Sequence, residues 1–104
     1  MIARDAIQKV CHELVEAFHP QKVVLFGSYA YGSPGEYSDV DLLVVMPVEG
    51  SSARMGAEIL MRLSPPFPLD VLVRSPETLA ERLDAGDFFL QEIIKKGIVL
   101  HEVA

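Results

Sequence analysis

The sequence predicts an α/β domain of the α+β kind, a small mixed β-sheet flanked by helices. Three observations carry this. The 104 residues suffice for one domain with one core, residues 1–104. Half of them are apolar, enough to fill that core. Short β-branched and aromatic runs alternate with segments of helical period, in the order α-β-α-β-α-β-α-α-β.

The first helix is predicted over Arg4–Phe18, where Ile7, Val10, Cys11, Leu14, Val15 and Phe18 recur at helical spacing. His19-Pro20 ends it, because a residue before proline avoids helical dihedrals. Lys22–Phe26 reads as a buried strand. Gly27-Ser28 opens a short helical turn that Gly32, Pro34 and Gly35 stop. Residues 39–46 form a second strand, followed by a loop over 47–52 and a helix over 53–63 with Met55, Ile59, Leu60 and Leu63 available to the core. Pro65, Pro66 and Pro68 mark a turn before a third strand at 69–73. Ser75 caps a helix whose first position is Pro76, where proline fits. Asp87 caps the next, with Phe89, Leu90, Ile93 and Ile94 inward and Gly97 just past its end. Residues 98–101 are expected to form a last short strand near a frayed end.

Composition excludes several function classes. The longest apolar run, residues 42–48, already contains Pro47 and is far short of the roughly 20 residues a membrane span requires. The N-terminal residues carry no apolar signal core, so the protein is expected to be cytoplasmic. The single cysteine, Cys11, lies on the apolar stripe and is expected buried and inert; no Cys/His cluster suggests zinc. The formal charge of −6 argues against an extended nucleic-acid footprint.

The chemistry centres on acids placed where strands should be apolar. In Asp39-Val40-Asp41-Leu42-Leu43-Val44-Val45, alternation puts Asp39 and Asp41 on one face. Two adjacent carboxylates repel and resist desolvation, and a divalent cation resolves both difficulties. Mg²⁺ suits such a site, since it takes one or two carboxylates together with substrate phosphates. Asp70, in Pro68-Leu69-Asp70-Val71-Leu72-Val73, completes a three-carboxylate cluster if the third strand lies beside the second. Two metals held ~3.5–4 Å apart by such a cluster stabilise both oxygens of an in-line displacement. Upstream, Gly27 lets the backbone approach a phosphate, and Ser28 is expected to cap the helix and donate to phosphate oxygens. Taken singly, these features also fit solvated strand ends and an ordinary helix cap. His12, His19 and His101 lack metal-ligand spacing. Phe88 and Phe89 read as core or interface rather than a base-stacking platform, and Arg62 and Arg74 as solvated.

The spacing is more specific than its parts. Gly27-Ser28, ten residues, then Asp39-Val40-Asp41 resembles the G-S-x10-D-x-D signature of the DNA polymerase beta-like nucleotidyltransferase superfamily. The stretches Val24-Leu25-Phe26-Gly27-Ser28-Tyr29-Ala30-Tyr31-Gly32 and Tyr37-Ser38-Asp39-Val40-Asp41-Leu42-Leu43-Val44 resemble its minimal nucleotidyltransferase branch. The likeness extends to Asp70 and to the tail around Asp87-Phe88-Phe89-Leu90. It implies the polymerase beta-like fold, with Gly27 and Ser28 holding the triphosphate, Asp39 and Asp41 binding the metals, and Asp70 binding the second metal and helping to activate the attacking hydroxyl. The implied cofactors are two Mg²⁺ ions with ATP as substrate. Tyr31 departs from the pattern, since that position is often basic in the family.

Larger relatives append an acceptor-binding domain for which this sequence leaves no room, so the acceptor surface is expected from a second copy or a separate protein. Proteins resembling this branch are commonly paired with a small helical HEPN-type RNase toxin and act as antitoxins by adenylylating one of its tyrosines. Two other readings remain: a non-catalytic module that neutralises a partner by occlusion, and a small-molecule (antibiotic-type) nucleotidyltransferase working with a partner subunit.

Overall fold

The computed structural model describes residues 1–32, 34, 35 and 38–103. Tyr37, part of the second motif stretch, lies outside them. The elements are α1 (Arg4–Phe18), β1 (Lys22–Phe26), α2 (Ser28–Tyr31), β2 (Val40–Val45), α3 (Ser52–Leu63), β3 (Leu69–Arg74), α4 (Pro76–Asp84), α5 (Phe88–Lys96) and β4 (Ile98–Glu102). Their order is the expected one. The sheet runs β3-β2-β1-β4 and is mixed: β2 and β3 are parallel, while β1 is antiparallel to both β2 and β4. Only the parallel pair needs a crossover connection, which α3 supplies.

Helices cover both faces of the sheet. Ile7, Val10, Cys11 and Leu14 of α1 and Ile59 of α3 pack on Val23, Leu25, Val40, Leu42 and Val44. On the opposite face Leu90 and Ile93 of α5 meet Val24, Leu43 and Val45, with Leu79 and Leu83 of α4 at the margin. This explains why β2 is an almost unbroken apolar run: both its faces are buried. Cys11 is buried as expected, and burial pushes its thiol up to about 11. No helix among the described residues is long and apolar enough to cross a membrane.

Local chemistry sets the helix ends. His19 adopts a left-handed conformation (φ 51°) and its N–H donates to the Val15 carbonyl, so Pro20 follows a properly closed helix. The Ser75 hydroxyl accepts from the Thr78 N–H, and Asp87 Oδ1 accepts from the Leu90 N–H at 3.0 Å. Gly97 serves another purpose than left-handed capping. Its backbone is extended, and an added Cβ would overlap the Ile93 carbonyl and the Val24 side chain, so only glycine lets α5 turn this closely against β1.

Four expectations need correction. Phe89 and Ile94 do not point inward: Phe89 is 57% exposed and Ile94 37%. A nine-residue helix lying on a sheet buries one narrow stripe, here Leu90 and Ile93. Phe88, at 73% exposed, is not core either. The final strand is longer than expected, running to Glu102 with an irregularity opposite Val23/Val24. His101 belongs to it and its Nε2 lies 3.3 Å from the Pro20 carbonyl. The second strand starts at Val40, leaving Asp39 just ahead of it.

Candidate active site

The strand registers put three of the conspicuous side chains in one row. Phe26 of β1 pairs with Asp41 of β2, and Asp41 pairs with Asp70 of β3. Partners in register project to the same side of a sheet. The neighbouring row on that side is Val24, Leu43 and Leu72, which α5 and α4 cover. The row Phe26–Asp41–Asp70 lies at the rim of that cover, where the sheet meets solvent. Asp41 is half-buried and Asp70 exposed.

Electrostatics shows how close the acids are. The Asp41 carboxyl is pushed up to about 6, first by burial, then by the negative charges of Asp70 and Asp39, and finally by hydrogen bonding with Asp70. Asp41 thus lies beside its register partner Asp70, with Asp39 near enough to act on it through charge. Among the described residues no three His, Cys, Asp or Glu side chains are gathered closely enough to hold a metal ion as they stand. The sequence expectation of a three-carboxylate cluster is met by a pair, with Asp39 exposed beside it. The oxygen-only donor set suits Mg²⁺.

Gly27 follows Phe26 at the end of β1 and occupies φ 72°, ψ −158°, a conformation essentially confined to glycine. A Cβ there would overlap Oδ2 of Asp41. The backbone at Gly27 thus lies directly against the carboxylate, leaving no room for any side chain between them. Its carbonyl accepts from the N–H groups of Ala30 and Tyr31 at 3.0 and 3.1 Å, which starts α2. The capping position is therefore Gly27, not Ser28 as expected. Ser28 is the first helical residue, so its hydroxyl is not committed to a cap. The Tyr29 hydroxyl accepts from the Ile2 N–H at 3.1 Å, tying this turn to the N-terminal segment.

A groove of about 480 Å³ runs beside β3, lined by Ser52, Gly56 and Ala57 of α3 and by residues 70–74. Asp70 belongs both to this groove and to the acid row. A smaller cavity of about 280 Å³, lined by Lys22, Val45, Leu79 and Glu102 among others, lies at the other end of the strands, away from the acids.

The side chains set aside in the sequence are occupied elsewhere. Arg62 stacks over Phe18 at 5.7 Å, Arg74 donates to the Val73 carbonyl at 2.7 Å, and His12 pairs with Glu16 on the surface. The sequence did not single out Phe26. Its ring meets Phe89 edge-to-face, with centroids 5.9 Å apart. The signal available was its place immediately before Gly27.

Comparison with known proteins follows the same lines. The family model described as "Nucleotidyltransferase domain" matches residues 5–101. No curated protein sequence matches the chain. Solved structures share the fold at low identity. One is a candidate nucleotidyltransferase from Sulfolobus solfataricus, 18% identical, covering 91% of this chain and 76% of that one at a TM-score of 0.62. A toxin-antitoxin structure with AMP-PNP is 20% identical over 92% of this chain and 73% of that one, at 0.59. A mutant of the toxin-antitoxin MntA-HpeT, carrying two aspartate-to-glutamate changes, is 16% identical with the same coverage and TM-score.

Proposed function

Since the chain belongs to the nucleotidyltransferase domain family, we propose that it moves AMP from ATP onto a hydroxyl with the help of Mg²⁺, and that it acts as the antitoxin of a HEPN-type toxin by adenylylating a tyrosine of that partner. The observation that carries this reading is the pressing of Asp41 against both Asp70 and the backbone of Gly27. A site of that kind sets phosphate-binding backbone beside paired carboxylates. The toxin-antitoxin neighbours, one with AMP-PNP, support the partner and nucleotide.

The residues divide the work. Gly27 and Ser28 hold the triphosphate, the first by close backbone approach and the second through its uncommitted hydroxyl. Asp41 and Asp70, with Asp39 beside them, would hold the Mg²⁺ ions, which would supply positive charge against the triphosphate. The acceptor oxygen bonds to the α-phosphorus as the bond to the β-bridging oxygen breaks and pyrophosphate leaves. Asp70 stands at the groove from which a hydroxyl can arrive, orients that hydroxyl and receives its proton. Transfer of this type depends mainly on positioning and charge neutralisation.

The test uses Asp70→Asn with the partner protein and labelled ATP. Label transfer is expected to fall about a thousandfold, several kcal/mol in barrier, while ATP still binds. A mutant that neutralises the partner as well as wild type at substoichiometric dose would show that the protein acts by occlusion rather than catalysis.

A further inference from the structure

We infer that Phe89, backed by Phe26, is the platform on which the base of the bound nucleotide stacks. This rests on the proposed triphosphate site at Gly27 and Ser28. Phe89 is a large apolar side chain left 57% exposed on a helix whose core stripe begins at the very next residue, Leu90. Yet its ring is not loose, because Phe26 meets it edge-to-face at 5.9 Å and an interplanar angle of 84°. A T-shaped pair fixes the orientation of the outer ring. One ring is thus anchored in the sheet and the other presented to solvent.

Position supplies the occupant. Phe26 is the row partner of Asp41 and the residue before Gly27. Counting outward from Asp41, one strand spacing of about 4.8 Å reaches Phe26, and the next ring out is Phe89. Phosphates held at Gly27 beside Asp41 therefore place the remainder of the nucleotide within reach of this ring. The opposite direction along the row leads to Asp70 and the groove beside β3, the side assigned to the acceptor. The two ends of the row thus separate donor base from acceptor hydroxyl. Two features hold the platform in place. The Asp87 cap fixes the start of α5, and Gly97 lets its other end close on β1. Phenylalanine has no hydrogen-bonding edge, so the platform grips a base by its face and favours purines by area without telling adenine from guanine.

The experiment compares MgATP with Mg-tripolyphosphate, which has the phosphates but no base. Phe89→Ala is expected to weaken MgATP binding roughly ten- to hundredfold, the range found for loss of a base-stacking aromatic, and to leave tripolyphosphate affinity unchanged. The chain contains no tryptophan, so Phe89→Trp provides a second readout: its fluorescence should be quenched by MgATP and not by Mg-tripolyphosphate. Equal losses for both ligands in Phe89→Ala, or unchanged ATP affinity with an unquenched tryptophan, overturn the platform while leaving the triphosphate site standing. A wild-type protein that binds neither ligand overturns the underlying functional reading, and the platform with it.

Discussion

Asp41 carries two demands that conflict, and the proposed Mg²⁺ would reconcile them. It is half-buried against Gly27, and it faces Asp70 across one strand spacing with Asp39 nearby. Its carboxyl titrates near 6 rather than its ordinary 3.8. The folded state therefore holds a proton that the unfolded chain has already lost. Below about pH 4 both states are protonated and the stabilisation is complete. It is lost as pH rises through about 6, because ionisation then proceeds against burial and two like charges. The full shift corresponds to about 3 kcal/mol, which solvent access to a half-buried group reduces to about 1. In chelator, the domain should thus lose a few degrees of melting temperature between pH 5 and pH 7.5 on this account. Asp41→Asn should flatten that limb and melt higher than wild type at pH 7.5, while failing to bind MgATP. Thermal melts at the two pH values check this, and an unchanged slope in the mutant would place the effect elsewhere.

Among the elements, α5 shows best what a sequence states and what it leaves open. Its start is written locally: an aspartate three residues before a backbone N–H that needs an acceptor makes the same bond wherever the helix lies. Asp87→Ala should cost about 1 kcal/mol and lower the melting temperature by roughly 4–8 °C, as calorimetry can measure. Ser75-Pro76 was readable for the same reason. The inward face of α5 was not readable, since it depends on which strand the helix crosses and at what angle. Hence Leu90 and Ile93 were placed correctly, and Phe89 and Ile94 were not. The candidate site residues divide similarly. Asp39, Asp41 and Asp70 stood out as acids at or in apolar strands, but the adjacency of Asp41 and Asp70 required β3 to pair with β2 in parallel, a long-range choice made through α3. Ser28 was misjudged because a capping serine and a first-turn serine look alike in sequence; the φ of Gly27 separates them.

For the whole molecule, the sheet order runs the row Phe26–Asp41–Asp70 from β1 across β2 to the edge strand β3, with helices on both faces of the sheet. The candidate site is therefore anchored in the sheet at Asp41 and opens to solvent at Asp70, as the proposed transfer to a hydroxyl of another protein requires. The same construction shuts Cys11 between α1 and the sheet, a single thiol pushed up to about 11. A thiol reagent needs both access and a thiolate, and the folded chain denies it both. Alkylation of this one atom thus becomes a clock for the opening of the whole structure, with no label to introduce and no second cysteine to confuse the count. Where reclosing outpaces alkylation, the clock reads opening equilibria. A ligand at a hundred times its dissociation constant should slow it about a hundredfold. Mass spectrometry of the alkylated chain, with and without MgATP, would read that ratio; labelling at the rate of a free thiol, indifferent to nucleotide, would mean that α1 lifts from the sheet on its own.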